Sequence, residues 1–224
     1  MQVFKIGAAT AISEEALEAR IESMRLTKET KMITPVETAI KNVLLERQLV
    51  AYHHIYPFVT SDFTFHKPDF VVPQINIDGK WLTFECHVFS TDENNRVPLK
   101  ECLVSNGFKS VWGDYFNIVT VNSNSTRKME RISGMRRKDF ADKHVQLPYL
   151  RMRTEEVESI IGKRINKWVR EGAYSKFHSK TEMKECILEA MRMKAQQDEL
   201  KETLRACAPN IPIALISTAR QNKH

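Results

Sequence analysis

A chain of 224 residues with 42% hydrophobic and 28% charged content has the make-up of a soluble globular protein, long enough for one large core or a core with an appended module. No apolar run approaches the roughly 18–20 residues that span a bilayer, and acidic residues enter MQVFKIGAATAISEEALE too early for a secretory signal, so a cytoplasmic protein is expected. The net charge of +6 is uneven: residues 1–124 hold 12 Lys/Arg and 15 Asp/Glu, residues 125–224 hold 22 and 13, which points to a polyanionic partner, nucleic acid first, for the C-terminal half.

In chain order, residues 13–31 are predicted to form a helix, with Ser13 as its cap, Glu14 and Glu15 in the first turn, and a partial apolar stripe of Ala16, Leu17, Ile21 and Met24. A second helix opens on TPVE, where Thr34 caps, Pro35 takes the first helical position and Glu37 completes a capping box. Its apolar face is Val36, Ile40, Val43 and Leu44, and it ends near Leu49. Residues 50–66 are aromatic and β-branched with a proline inside, which reads as an edge or irregular strand. Residues 67–89 read as a hairpin turning at Asp78-Gly79. VPLKECLVSNG is predicted to be a helix with Gly107 as its C-cap, and FNIVTVN, residues 116–122, a strand parallel to the one before it.

Beyond residue 123 the chain is polar and basic, and NSNSTRKMERISGMRRKDF reads as a loop. Helices follow over 154–171, capped by Thr154, and over 179–206, opened by a Ser179 and Glu182 capping box. PNIPIALIST is a final strand or an extended tail. The expected organisation is a helical extension over 1–33, an α/β core with a mixed central sheet over 34–124, and a basic, mainly helical region over 125–224. The four cysteines, Cys86, Cys102, Cys186 and Cys207, make no CxxC pair, so neither a zinc knuckle nor a disulfide framework is indicated.

The hairpin holds residues that a buried sheet does not need. Alternation puts Trp81, Thr83, Glu85 and His87 on one face and Leu82, Phe84, Cys86 and Val88 on the other. A regular ladder from the tight turn sets Val72 against Glu85, and Asp69 then converges on Glu85 only if the strand twists or bulges. A carboxylate inside an apolar strand costs several kcal/mol unless it is partnered. Two carboxylates brought together repel unless a proton or cation lies between them. Oxygen donors of this kind suit a hard divalent ion, Mg²⁺ or Mn²⁺. His53 and His54 are expected to face opposite ways on a strand, so with His66 they do not simply chelate. No phosphate-binding glycine loop and no GxSxG elbow occurs.

Pro68-Asp69, a hairpin turn, then Glu85-x-His87 resembles the PD-(D/E)XK nuclease superfamily, over about residues 34–122. The TPVE helix opening is similar to that of the very-short-patch-repair-like branch, in which a helix glutamate approaches the metal. The resemblance implies a restriction-endonuclease-like fold: a helix, three antiparallel strands, a helix and a parallel strand. It also implies metal ligation by Asp69 and Glu85, with Glu37 as an auxiliary ligand. His87 stands where the family has lysine, so either His87 or Lys100 is left to assist the attacking water.

Simpler readings stand beside these. Asp69 follows a proline at a strand start, Glu37 is already a capping residue, and Lys100 is a helix lysine. Arg127, Lys128, Arg131, Arg136, Arg137 and Lys138 form a candidate phosphate clamp. Lys163, Arg164, Lys167 and Arg170 form a basic helix face that serves DNA or merely solvation. The expectation is a metal-dependent nuclease acting on DNA, with RNA left open and a two-fold dimer implied by cleavage of both strands. The alternatives are an inactive nuclease-fold nucleic-acid-binding protein and a protein-interaction module.

Overall fold

The computed structural model describes residues 3–6, 10–86, 96–149, 152–170 and 180–207. A hairpin of β1 (Val3–Ile6) and β2 (Thr10–Ser13) leads into α1 (Glu14–Ser23), and α2 (Pro35–Glu46) follows. Next come β3 (Tyr52–His53), the small hairpin of β4 (Phe58–Val59) and β5 (Phe65–His66), and the long hairpin of β6 (Phe70–Ile77) and β7 (Lys80–Cys86). The chain continues through α3 (Arg96–Trp112), β8 (Phe116–Asn122), α4 (Thr126–Ser133), α5 (Arg137–Phe140) and β9 (Lys143–Gln146). It closes on α6 (Thr154–Trp168) and α7 (Lys180–Cys207).

The fold is α/β around a mixed five-stranded sheet, ordered β3-β6-β7-β8-β9. β6 runs antiparallel to both β3 and β7, whereas β7, β8 and β9 are mutually parallel. Side-chain alternation builds two cores. On one face Phe70, Val72, Leu82, Phe84, Val119 and Val121 meet Ile40, Val43 and Leu44 of α2 and Val157, Ile161 and Ile165 of α6. On the other face Val71, Trp81, Phe116 and Ile118 meet Phe108 and Trp112 of α3, with α1 and α7 beyond. Layers on both faces explain why every residue of β8 is buried, as parallel strands require.

The capping box of α2 forms as its sequence dictates: Thr34 Oγ1 accepts from Glu37 N, and the Glu37 carboxylate accepts from Thr34 N. Asp78 and Gly79 both take positive φ, 55° and 79°, and turn the long hairpin. Several expectations are corrected. The first helix stops at Ser23, and two strands precede it. Gly107 lies inside α3 and caps nothing; a Cβ there would stand 3.3 Å from Thr60 and Ser61, so its bareness lets the β4–β5 hairpin dock. Residues 126–140, expected to be a loop, form α4 and α5, because Met129, Phe140 and Ala141 bury themselves with Cys102 of α3 amid an otherwise polar run. Arg153, not Thr154, is the N-cap of α6, its backbone N–H donating to Glu156 Oε2. The sheet takes its fifth strand from 143–146, and α6 packs on α2, so the core extends past residue 124. Ser179 and the 209–218 segment lie outside the described residues.

Candidate active site

The register of the long hairpin decides what faces Glu85. Next to the turn the ladder is regular, with Ile77 opposite Lys80 and Asn76 opposite Trp81. Then β6 spends three extra residues, Pro73 to Ile75, before Val72 pairs with Leu82 and Phe70 with Phe84. This corrects the expected pairing of Val72 with Glu85. Pro73 has no N–H to give the ladder, and buried Gln74 turns its Oε1 outward to accept from Val50 N at 2.6 Å, so the irregularity has local causes. Its result is that Asp69 and Glu85 are the next residues beyond the Phe70–Phe84 pair on adjacent strands. Asp69 reaches across: its Oδ2 accepts from Cys86 N at 2.5 Å.

Two histidines contact these carboxylates, and a third, His53, stacks on one of the two. His66 Nε2 lies 2.8 Å from Glu85 Oε1, and His54 Nε2 lies 3.4 Å from Asp69 Oδ1. His53 and His54 do not alternate as a strand would place them. His54 has φ of 49°, a left-handed backbone, and its ring stacks on His53 with centroids 3.9 Å apart. That corrects the expectation that His53 and His54 diverge. The clue in the sequence is density, since three of the chain's seven histidines fall between positions 53 and 66.

Electrostatics tie the cluster together. Glu85, 1% exposed, is raised above the usual carboxylate range by burial, against the pull of His66 and with a further push from Asp69. Burial alone would lower His66, but the charge and hydrogen bond of Glu85, helped by Asp69, raise it. Cys86 is pushed far up by burial and by Asp69, Glu37 and Glu85, so it stays a thiol. Burial, with His54 beside it, lowers His53, while Glu37 and Asp69 pull the other way. Three carboxylates therefore act on one strand end. Glu37 is buried, and its Oε2 accepts from both Ile33 N (3.0 Å) and Thr34 N (2.8 Å), so it is a cap first.

The other predicted residues are spread. Lys100 is exposed on α3, and His87 lies outside the described residues. Arg127, Lys128, Arg131, Arg136 and Lys138 are exposed on α4 and α5, which pack on α3. Arg137 is half-buried and bonds the Asp142 carbonyl. Glu85 pairs in register with Thr120, and β8 runs on from there into α4, so the basic segment leaves the same end of the sheet as the carboxylates. Lys163, Arg164, Lys167 and Arg170 are exposed on or just beyond α6, in the opposite layer. The two basic groups thus flank the sheet on different sides.

Among the described residues no three His, Cys, Asp or Glu side chains already surround one point as a metal cage. The donors are paired with one another instead, carboxylate to imidazole. Two adjacent acidic groups, one of them buried, thus each stand against an imidazole. Among the described residues, no helix is long and apolar enough to cross a membrane. Comparison with protein-family models, with curated proteins and with solved structures finds no match for this chain.

Proposed function

We propose that the chain is a divalent-metal-dependent nuclease that hydrolyses DNA phosphodiester bonds, built on a restriction-endonuclease-like core. The observation that carries this reading is the irregular register of β6, which seats Asp69 beside Glu85 at the rim of the sheet. The order α2, β3, β6, β7, α3, β8, with β8 parallel to β7, supports it.

In this reading Asp69 and Glu85 hold Mg²⁺ or Mn²⁺. When bound, such an ion supplies positive charge to the scissile phosphate and acidifies the attacking water. Glu37 fixes the start of α2 beside the site through its two backbone bonds. The exposed cations of α4 and α5 grip the phosphate backbone without reading bases, so binding falls steeply with salt.

The Glu85–His66 contact favours a second reading, in which the imidazole is a permanent partner and the protein binds nucleic acid without cutting it. Plasmid cleavage in Mg²⁺ or Mn²⁺ separates the two. The nuclease is expected to nick or linearise plasmid, and Asp69→Ala and Glu85→Ala to abolish this while the fold, followed by circular dichroism, persists. Salt-sensitive DNA binding without cleavage selects the second reading. Absence of DNA binding overturns both and leaves a protein-interaction module.

A further inference from the structure

We propose that the tip of the β4–β5 hairpin is a stacking platform for unpaired bases, so that the chain takes a single-stranded stretch of DNA in preference to a continuous duplex. The inference rests on the nuclease reading only in taking nucleic acid as the partner. Two rings stand out at this tip: Phe63, 49% exposed, and Phe65, 37% exposed. They lie close to the rim of the sheet, because Phe65 is followed directly by His66, which meets Glu85.

The hairpin sorts its side chains to two sides. Phe58 pairs with His66 and Val59 with Phe65, and cross-strand partners share a side. Phe58 and His66 turn inward, both against Phe108. Phe65 takes the other side, where Lys194 and Lys201 of α7 lie over its ring at 5.5 and 5.2 Å. Lys194, Gln197 and Lys201 fall at i, i+3 and i+7, one stripe of α7, and from it Gln197 Nε2 donates to Phe63 O. Lys67 is exposed just past His66.

Phe63 is held where stability alone would not put it. Its φ of 62° is left-handed, which a bulky aromatic residue rarely adopts, and the residue is exposed all the same. The turn around it is fastened from several directions. Phe63 N donates to Thr60 O at 2.9 Å, Ser61 N to Gly107 O at 3.1 Å, and Trp112 Nε1 to Val59 O at 2.8 Å. Gln197 is buried, and among the described residues its Oε1 has no donor, so an unfavourable amide placement is kept to grip the Phe63 carbonyl. A ring fixed in advance gives up little freedom on binding. The local acids leave the surface cationic: Asp62 is engaged by Thr60 and Thr64, Asp198 by Lys194, and Glu199 and Glu202 fall off the α7 stripe. Lys67, Lys194 and Lys201 thus set positive charge beside two exposed rings, which suits a strand that offers bases and phosphates together. Inside a duplex both faces of a base are covered by its neighbours, so only an unpaired base can give one to Phe63.

The test is binding of a labelled deoxythymidine oligonucleotide, and of a blunt duplex of equal length, to the full chain, followed by fluorescence anisotropy in EDTA so that nothing is cut. The single strand is expected to bind more tightly. Phe63→Asn removes the ring but keeps a residue that tolerates left-handed backbone. It is expected to weaken oligonucleotide binding about 5–150-fold with stability in urea held or raised, whereas Phe63→Trp keeps the preference. Lys201→Gln, away from the strained turn, guards against misfolding of the Phe63 variant and is expected to weaken oligonucleotide binding as well. Equal affinities for strand and duplex, or oligonucleotide binding untouched by both Phe63→Asn and Lys201→Gln, would overturn the inference. Binding of neither form overturns it too and leaves the patch to a protein partner. Phe63-dependent strand binding without cleavage of strand or plasmid in Mg²⁺ or Mn²⁺ sinks the nuclease and keeps the platform. Plasmid cleavage by a chain with no preference for the strand does the reverse.

Discussion

Two aspartates of the central sheet begin alike and end differently. Asp142 Oδ2 accepts from Ile118 N at 2.8 Å, and Asp69 Oδ2 accepts from Cys86 N at 2.5 Å. The remaining oxygen of Asp142 meets the Lys109 ammonium at 2.5 Å. That of Asp69 lies 3.4 Å from the His54 imidazole, with a second carboxylate one strand away. A lysine closes a carboxylate off, whereas a histidine leaves it open to exchange. The two aspartates share a backbone anchor and differ in the side chain that meets the other oxygen.

The largest effect on this contrast is expected from Lys109→Met. It strands the half-buried Asp142 charge and is expected to cost about 1–3 kcal/mol in urea denaturation, with cleavage by the folded protein unchanged. A loss of cleavage instead would place Asp142 in the reaction and dissolve the distinction. Thr34→Ala comes next, at about 1 kcal/mol, because the hydroxyl accepts from Glu37 N at 3.1 Å. If Glu37 is architectural, like Asp142, plasmid cleavage per folded molecule is expected to hold; a fall would move Glu37 across to the site.

The smallest effect concerns an imidazole. His144 Nε2 lies 2.8 Å from the Asn124 carbonyl, which can only accept, so that nitrogen carries the proton and Nδ1 accepts from Thr120 Oγ1 at 2.9 Å. Burial lowers His144 from its ordinary value of 6.5. The unfolded chain therefore binds more protons here, and stability drains away as pH falls from about 6.5 through the lower folded value. His66, raised by Glu85 against its burial, runs the opposite way: its contribution is whole below the ordinary value and fades as pH rises through the folded one. In thermal melts, His144→Gln is expected to lose less stability than the parent chain between pH 7 and pH 5. An unchanged slope would show that His144 titrates as freely in the folded chain as in the unfolded one.

Much of the frame was legible from residue types. The capping box of α2, the Asp78-Gly79 turn and the limits of β8 follow from local chemistry, and Glu85 announced itself by sitting between Phe84 and Cys86. What escaped depended on tertiary context. The polar run at 126–140 hides two helices whose few apolar residues cluster with Cys102 of α3. His53 and His54 diverge under strand geometry, and nothing local signals the left-handed turn that stacks them. Position 87 drew attention by its spacing from Glu85, while His66 reaches that carboxylate from a separate hairpin.

The three positions Pro73–Ile75, which have no register partner on β7, work as a spacer. Because side chains reverse sides at every step of a strand, removing one of these residues would turn the acidic group of the neighbouring strand away from its counterpart, with the composition of the pocket unaltered. The acidic partnership is thus measured out by a stretch that bears no reactive group itself, and a change of length there would disarm the rim more quietly than any replacement within it.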